Sequence, residues 1–576
     1  MTTSSSPSQA NPDPQLELAI DGTTPTKKHW IDRLHHAGWT VFHHAQKHTG
    51  VGIVCSVAYF DPGNWGVDLQ AGSQYGYKLL FIVLLSGLFA AFLQVLACRL
   101  GVVTGLDLAS HCRILFHDRP RHTKLWRWAV LYPLYVLSEV AVVCTDLAEL
   151  LGSAIALTLL FPALPLWGGV LVTGADVLLI LALGNPLHAR PAKVFEWIIA
   201  ALVLAVLICM AMIIARINVA WGQAFDGFVP SKTLFASGAL YTSVGILGAT
   251  VMPHSLFLGS HLATQDRLSK ISLVPVSPLS NKAQELEPTG VASRRERFQY
   301  LGRVIWQQLR SLFIVSRAEL EALNARPKSY EHRENNPLEF VQSHLYHGMV
   351  DMVSSLLGFA VIINALILVL ASAVFYYGSG AYGSESPASL SDAHALIKNT
   401  IGQAAALLFA LALLASGQSA SLVATVAGQS ISEGFLNWKV SPVVRRLLTR
   451  LLGLIPSMTV AIVVGPNGIN FLLVASQVIL SIILPFIIFP LICLTSSSRI
   501  MRVRKTAPEH TVVSPSVEAS SLPAITLDSD PEKIQTEDFV DFSSGKLMTS
   551  LGWLIWSVIL AANLYVLVTL GMGQGG

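Results

Sequence analysis

The chain is poor in charge. Of 576 residues, 38 are Lys or Arg and 35 are Asp or Glu, so charged side chains make up only 13% and the net charge is +3. Soluble domains carry about a quarter. The balance is too even for the basic field of a nucleic-acid binder. Cysteine is scarce as well: Cys55, Cys98, Cys112, Cys144, Cys209 and Cys493 lie mostly inside apolar runs, with no CxxC pair. That excludes a disulfide scaffold or a zinc framework. There is no phosphate-binding glycine loop, nucleophile triad or metalloprotease His pair, so neither an enzyme nor a cofactor is expected. Residues 1–40 are polar and rich in Ser and Pro, without the apolar core of a cleavable signal peptide.

What the chain has is apolar length. Hydrophobic residues make up 52%, and the mean hydropathy is +0.56. Runs of about 20 apolar residues, each long enough to cross ~30 Å of hydrocarbon, recur along it. Eleven spans are predicted, near 51–74, 79–101, 126–160, 163–183, 192–215, 237–262, 349–377, 401–434, 444–464, 469–495 and 549–571. The fold class is therefore an all-α integral membrane protein.

The positive-inside rule sets its orientation. Loops after the even-numbered spans are basic, with Arg113, Arg119, Arg121, Lys124, Arg190, Lys193, Arg294, Arg295, Arg297, Lys439, Arg445, Arg446, Arg450, Arg499, Arg502, Arg504 and Lys505. The intervening loops have almost no Lys or Arg. The N-terminus is expected in the cytoplasm and the C-terminus outside it. Residues 1–45 read as a disordered tail, 46–262 as the first six spans and 349–496 as the next four. Residues 549–576 hold the last span. The polar inserts 263–348 and 497–548 read as mostly disordered cytoplasmic loops open to regulatory partners.

Two spans are interrupted. The first carries Ala58-Tyr59-Phe60-Asp61-Pro62-Gly63-Asn64-Trp65 in its middle. An acid at a helix centre costs roughly 2.5–3.5 kcal/mol on insertion scales, and proline removes a backbone donor. Such a break is tolerated at membrane depth only where it is buried in protein or lines a cavity. The sixth span is broken likewise at Gly248-Ala249-Thr250-Val251-Met252-Pro253-His254. A pair of interrupted segments at corresponding places of two halves points to a transporter binding site. Together they offer the Asp61 carboxylate, the Asn64 amide, a carbonyl near Ala249 and the Met252 thioether. Hard oxygen with soft sulfur suits a divalent transition metal better than Ca²⁺ or Mg²⁺.

Asp61-Pro62-Gly63-Asn64 and Met252-Pro253-His254 resemble the signatures of the Nramp (natural resistance-associated macrophage protein) divalent metal transporters, and the resemblance runs over nearly all the hydrophobic segments. It implies a LeuT-type five-plus-five inverted repeat, with spans one and six unwound at the midplane and span eleven outside the repeat. The breaks, five spans apart, fit that arrangement. Met252-Pro253-His254-Ser255-Leu256-Phe257-Leu258-Gly259-Ser260 is similar to the fungal branch. Gly259 stands where many relatives have a second His, and Ser255 replaces a frequent Asn. His261 lies two residues on, toward another side of the helix.

Other residues follow from the resemblance. Gln477 in span ten matches a position that completes the metal shell on occlusion. Asn364 matches an outer-gate position, and Thr250 is a weaker gate candidate. Span three carries Glu139, Asp146 and Glu149, too many acids for a purely structural role at membrane depth. Asp146 and Glu149, spaced i, i+3, share a face and resemble the family's inward proton route, with Arg445-Arg446 in the place of its arginine pair. His254, beside the site, is a further candidate for proton transfer or gating.

The expected function is proton-coupled import of Mn²⁺ or Fe²⁺ by alternating access. The expected location is the plasma membrane or an endosomal or vacuolar membrane. The alternatives are a metal sensor with a transporter fold and no flux, or another LeuT-fold symporter. Expected partners are the metal ion, protons and the bilayer, with no nucleic acid.

Overall fold

In the computed structural model, the described residues are 50–182, 193–236, 238–267, 330, 333–378, 389–437, 441–463, 466–505 and 539–572. The expected tail at 1–45 and the middles of both long inserts lie outside them.

Helix dominates the described residues, and every expected span has its helix. Eight helical stretches are long and apolar enough to cross a membrane. One of them, Pro62–Thr104, holds the second half of span one and all of span two. Shorter apolar helices at Val51–Phe60, Leu166–Ala175 and Leu447–Val463 supply the first half of span one and spans four and nine. The first span is two helices, Val51–Val57 and Pro62–Tyr75, joined by a 3-10 turn at Ala58–Phe60. The sixth is Ala239–Thr250 and Pro253–Leu262. The expected interruptions are thus where the acid, the methionine and the prolines predicted them.

The seventh span starts earlier than its apolar run suggests, at Leu338. The reason is the polar run Glu339, Gln342, Ser343, His344 and His347, which lowers the hydropathy although the helix continues through it. Asp351 lies within the apolar run. Its buried carboxylate accepts from the backbone N–H groups of Gly52 at 2.7 Å and Gly50 at 3.3 Å. One acid thereby satisfies two of the orphan donors that open span one. A Cβ at Gly52 would collide with the Asp351 backbone, so this approach requires glycine.

Proline explains how the tenth and eleventh spans meet. Pro485 lies inside helix Pro466–Ser496 and cannot donate to the Ser481 carbonyl one turn below. Asn563, on helix Lys546–Gly571, reaches across and donates to that carbonyl at 2.7 Å. Trp556 binds the Pro485 carbonyl at 2.9 Å. Span eleven is otherwise only lightly buried, as befits a helix outside the repeat.

The described ends of the 497–548 insert carry structure that hydropathy did not reveal. Strand β1 (Arg502–Arg504) pairs antiparallel with β2 (Phe539–Asp541). Arg99 of span two ties this hairpin down by donating to the Phe542 carbonyl at 2.8 Å.

Candidate functional site

Both breaks are built in the same way. Asp61 has extended backbone (ψ 171°) and caps the half-span that Pro62 begins. Met252 is also extended (ψ 119°) and precedes Pro253, the first residue of its half-span. A residue before proline is pushed out of the helical region, and proline itself sits well at a helix's first position. The two side chains with the most distinctive chemistry therefore occupy equivalent pre-proline caps.

The breaks touch. Asp61 Oδ1 accepts from the Asn64 backbone N–H and from Asn64 Nδ2, both at 2.8 Å. Asn64 Nδ2 also donates to the Ala249 carbonyl at 2.9 Å. Tyr59 Oη lies 2.6 Å from Ser255 Oγ, which donates to the Met252 carbonyl at 2.9 Å. The unwound carbonyls of span one are met from outside it. Asn364 donates to Tyr59 O at 2.6 Å, and Ser416 to Phe60 O at 2.5 Å. Asn364 Nδ2 also approaches Asn64 Oδ1, at 3.3 Å.

Gln477 stands over the first break. Its amide fills the space a Cβ at Gly63 would need, and Asp61 Oδ2 lies on the same side, 3.2 Å from that position. Asp61, Met252 and Gln477 are each 0% exposed and Asn64 1%, so the site is sealed from solvent. Inside it, Asp61 Oδ2, Gln477 Oε1, Thr250 Oγ1 and Asn364 Oδ1 have no hydrogen-bond partner. A buried oxygen without a donor costs about 1–3 kcal/mol. Of the four, the Asp61 carboxylate and the Gln477 amide lie on the same side of Gly63, each with an oxygen that accepts no hydrogen bond. Among the described residues no three His, Cys, Asp or Glu side chains converge on one point. Asp61 brings a carboxylate to the first break, with the neutral amides of Asn64 and Gln477 beside it.

His254 packs against span three. Its Nδ1 lies 3.3 Å from Thr145 Oγ1, which also points at Met252 Sδ from 3.9 Å, and its Nε2 has no partner. Thr145 is a contact the sequence did not suggest.

The acids of span three meet arginines in a different register from the expected one. Arg445 pairs with Glu139, and Arg450 with Asp146. Arg445 is further held by Ser432 Oγ at 2.8 Å, and Arg450 by the Thr173 carbonyl at 3.2 Å. Arg445 thus serves Glu139, and the arginine on Asp146 is Arg450. Residues five apart on a helix point about 140° away from each other, so Arg445 and Arg450 leave span nine in different directions and reach different acids of span three. The Arg446 side chain lies outside the described residues. Glu149 is wholly buried, with neither oxygen in a hydrogen bond. The sequence signal for Arg450 was available: it stands deeper in the apolar run than Arg445 and Arg446, and such a charge needs an acid on a neighbouring helix.

Comparison with known proteins agrees with this architecture. The family described as natural resistance-associated macrophage protein-like (Nramp) matches residues 52–516. The manganese transporter pdt1 of Schizosaccharomyces pombe is 39% identical over 529 residues, covering 92% of this chain and 86% of that protein. The iron transporter SMF3 of Saccharomyces cerevisiae is 36% identical over 531 residues, 92% and 96% of the two chains. The crystal structure of a mutant manganese transporter of Eremococcus coleocola has a TM-score of 0.62 and 25% identity, over 96% of this chain and 90% of the other. On these grounds, and with fungal relatives as its motifs implied, the chain belongs to the Nramp family.

Proposed function

We propose that this multi-pass membrane protein carries divalent transition-metal ions, Mn²⁺ or Fe²⁺, into the cytoplasm together with protons. The observation that carries the reading is the meeting of the two breaks: Asp61 and Asn64 against the Ala249 carbonyl, with Met252 heading the other half-span. The named activities of its relatives, manganese and iron transport, point the same way.

The steps follow from the residues. A hydrated ion entering from outside exchanges part of its water for Asp61, Asn64, the Ala249 carbonyl and the Met252 sulfur. The thioether favours softer ions and offers Ca²⁺ and Mg²⁺ little, which gives selectivity rather than affinity. Gln477 closes over the ion, and Asn364 and Thr250 gate the outer side. Rocking of one bundle against the other then opens the site inward. A membrane potential, negative inside, contributes about 2.3 kcal/mol per charge per 100 mV.

Protons enter alongside, by Asp61 and the Asp146/Glu149 face. His254 and the arginines of span nine, Arg445, Arg446 and Arg450, set the field along that route. In this reading the basic loops and the N-terminus face the cytoplasm, and the membrane is the plasma membrane or an endosomal or vacuolar one. The long inserts are places for regulatory partners.

The test is uptake into proteoliposomes holding the purified chain and a trapped pH dye. Faster Mn²⁺ entry with acid outside, accompanied by internal acidification, supports coupled import. Tight Mn²⁺ binding with no flux at any pH would replace transport with sensing.

A further inference from the structure

A second polar site lies where the ends of spans two, three, seven and ten converge, far along the chain from both breaks. It is a cavity of about 1100 Å³. Six arginines line it: Arg119, Arg121, Arg333, Arg499, Arg502 and Arg504. Only two carboxylates, Asp118 and Glu334, share the lining, a surplus of four positive charges (six minus two). Both acids are already engaged, Asp118 by Arg127 at 2.6 Å and Glu334 by Arg504 at 3.1 Å.

Arginines that merely fix membrane orientation need no shape. These are held. Arg502 and Arg504 alternate with buried Val503 on β1, so both point to the open face. The ring of Phe539 on β2 lies under both guanidinium groups, at 4.8 and 5.8 Å. Asn335 fixes the start of β1 by donating to the Ile500 and Arg502 carbonyls, each at 2.7 Å. Elsewhere in the lining, Arg119 stacks over Trp126 at 4.5 Å. Guanidinium groups fixed on aromatic rings present their N–H forks to phosphate oxygens at little entropic cost.

We propose that this cavity binds the phosphorylated headgroup of an anionic lipid carrying more than one phosphate. The charge surplus matches a multiply phosphorylated group better than a single carboxylate or phosphodiester. Its position beside the membrane favours a lipid over a free phosphate compound. Leu125 and Trp128, on the same short segment as Trp126, are exposed large apolar residues. Such side chains belong at the headgroup level of a bilayer.

The experiment uses the full chain in detergent and a fluorescent short-chain phosphatidylinositol bisphosphate. Phosphatidylserine of equal chain length and free inositol trisphosphate are the comparison probes. The proposal predicts saturable binding of the bisphosphate at least tenfold tighter than that of either comparison. It also predicts a loss of roughly fivefold for each of Arg504→Gln and Arg499→Gln, measured separately. Melting temperatures of the two variants show that the fold survives. Equal binding of phosphatidylserine would overturn the site, leaving an unshaped basic field. Equal binding of inositol trisphosphate would overturn the lipid assignment. Native-like binding by both variants would move the lipid elsewhere. None of these readouts depends on metal transport.

Discussion

The Asn64 side chain donates to the Ala249 carbonyl at 2.9 Å, so one hydrogen bond joins the break of the first span to the break of the sixth. The same amide nitrogen holds the Asp61 carboxylate. Asn64 is thus both a candidate ligand and a clasp between the two half-helices. Asn64→Ala leaves the Ala249 carbonyl buried without this donor, a cost of about 1–3 kcal/mol, and removes an oxygen from the shell. The expected outcome is a lowered melting temperature and at least tenfold weaker Mn²⁺ binding by calorimetry. An unchanged affinity would remove Asn64 from the shell.

The place of Gln477 gives a second prediction. A methyl group at Gly63 meets the far end of the Gln477 side chain rather than backbone, so Gly63→Ala should fold and insert normally. It should nevertheless push the amide away from Asp61 and lower Mn²⁺ uptake by roughly tenfold, the scale of one displaced contact at a site. Gly63→Ala with Gln477→Ala relieves the collision, and its uptake should not fall below that of Gln477→Ala alone. Native-like uptake by Gly63→Ala would mean that the glutamine does not need this position.

Arg450 and Asp146, both almost fully buried, form an ion pair between spans nine and three. Removing one partner of such a pair costs about 3–5 kcal/mol, because the other charge is left uncompensated. Arg450→Gln should therefore melt well below the native chain, and Arg450→Gln with Asp146→Asn should recover most of the loss. If Asp146 also conducts protons, the double variant should be stable yet show a flattened pH dependence of uptake. A double variant with native stability and a native pH profile would reduce the pair to a structural tie.

Ser416 offers a narrower test. Its hydroxyl donates to the Phe60 carbonyl, one of the acceptors released where span one unwinds. Ser416→Ala should cost about 1 kcal/mol in stability and weaken Mn²⁺ binding by less than Asn64→Ala does. An equal or larger loss of binding would place Ser416 nearer the ion than the bond to Phe60 suggests.

Much of this was legible in the sequence because each clue was a violation. Asp61 and Met252 stood out because proline and acid do not belong in the middle of a lipid span, and the structure gives both the same pre-proline cap. Hydrophobic length alone placed the eleven helices. Partnerships were harder. Asp351 capping Gly52, and Asn563 answering the carbonyl freed by Pro485, join residues far apart in the chain. No local pattern encodes such distances. The pairing of Arg450 with Asp146 depends on how two helices are rotated against each other, which the adjacency of Arg445 and Arg446 obscured. The β1–β2 hairpin was hidden for a different reason: three-residue strands leave almost no periodic trace.

The soft ligand is the centre of the account. The most direct measurement is Mn²⁺ uptake into proteoliposomes, acid outside, with excess Ca²⁺ as competitor, for the native chain and for Met252→Ala. The account predicts that the native chain ignores Ca²⁺. The variant should still take up Mn²⁺ within several-fold of native, because the thioether supplies selectivity rather than most of the affinity, but Ca²⁺ should now compete. If Ca²⁺ blocks native uptake, or leaves the variant as selective as the native chain, the sulfur does not choose the ion and the central claim is contradicted.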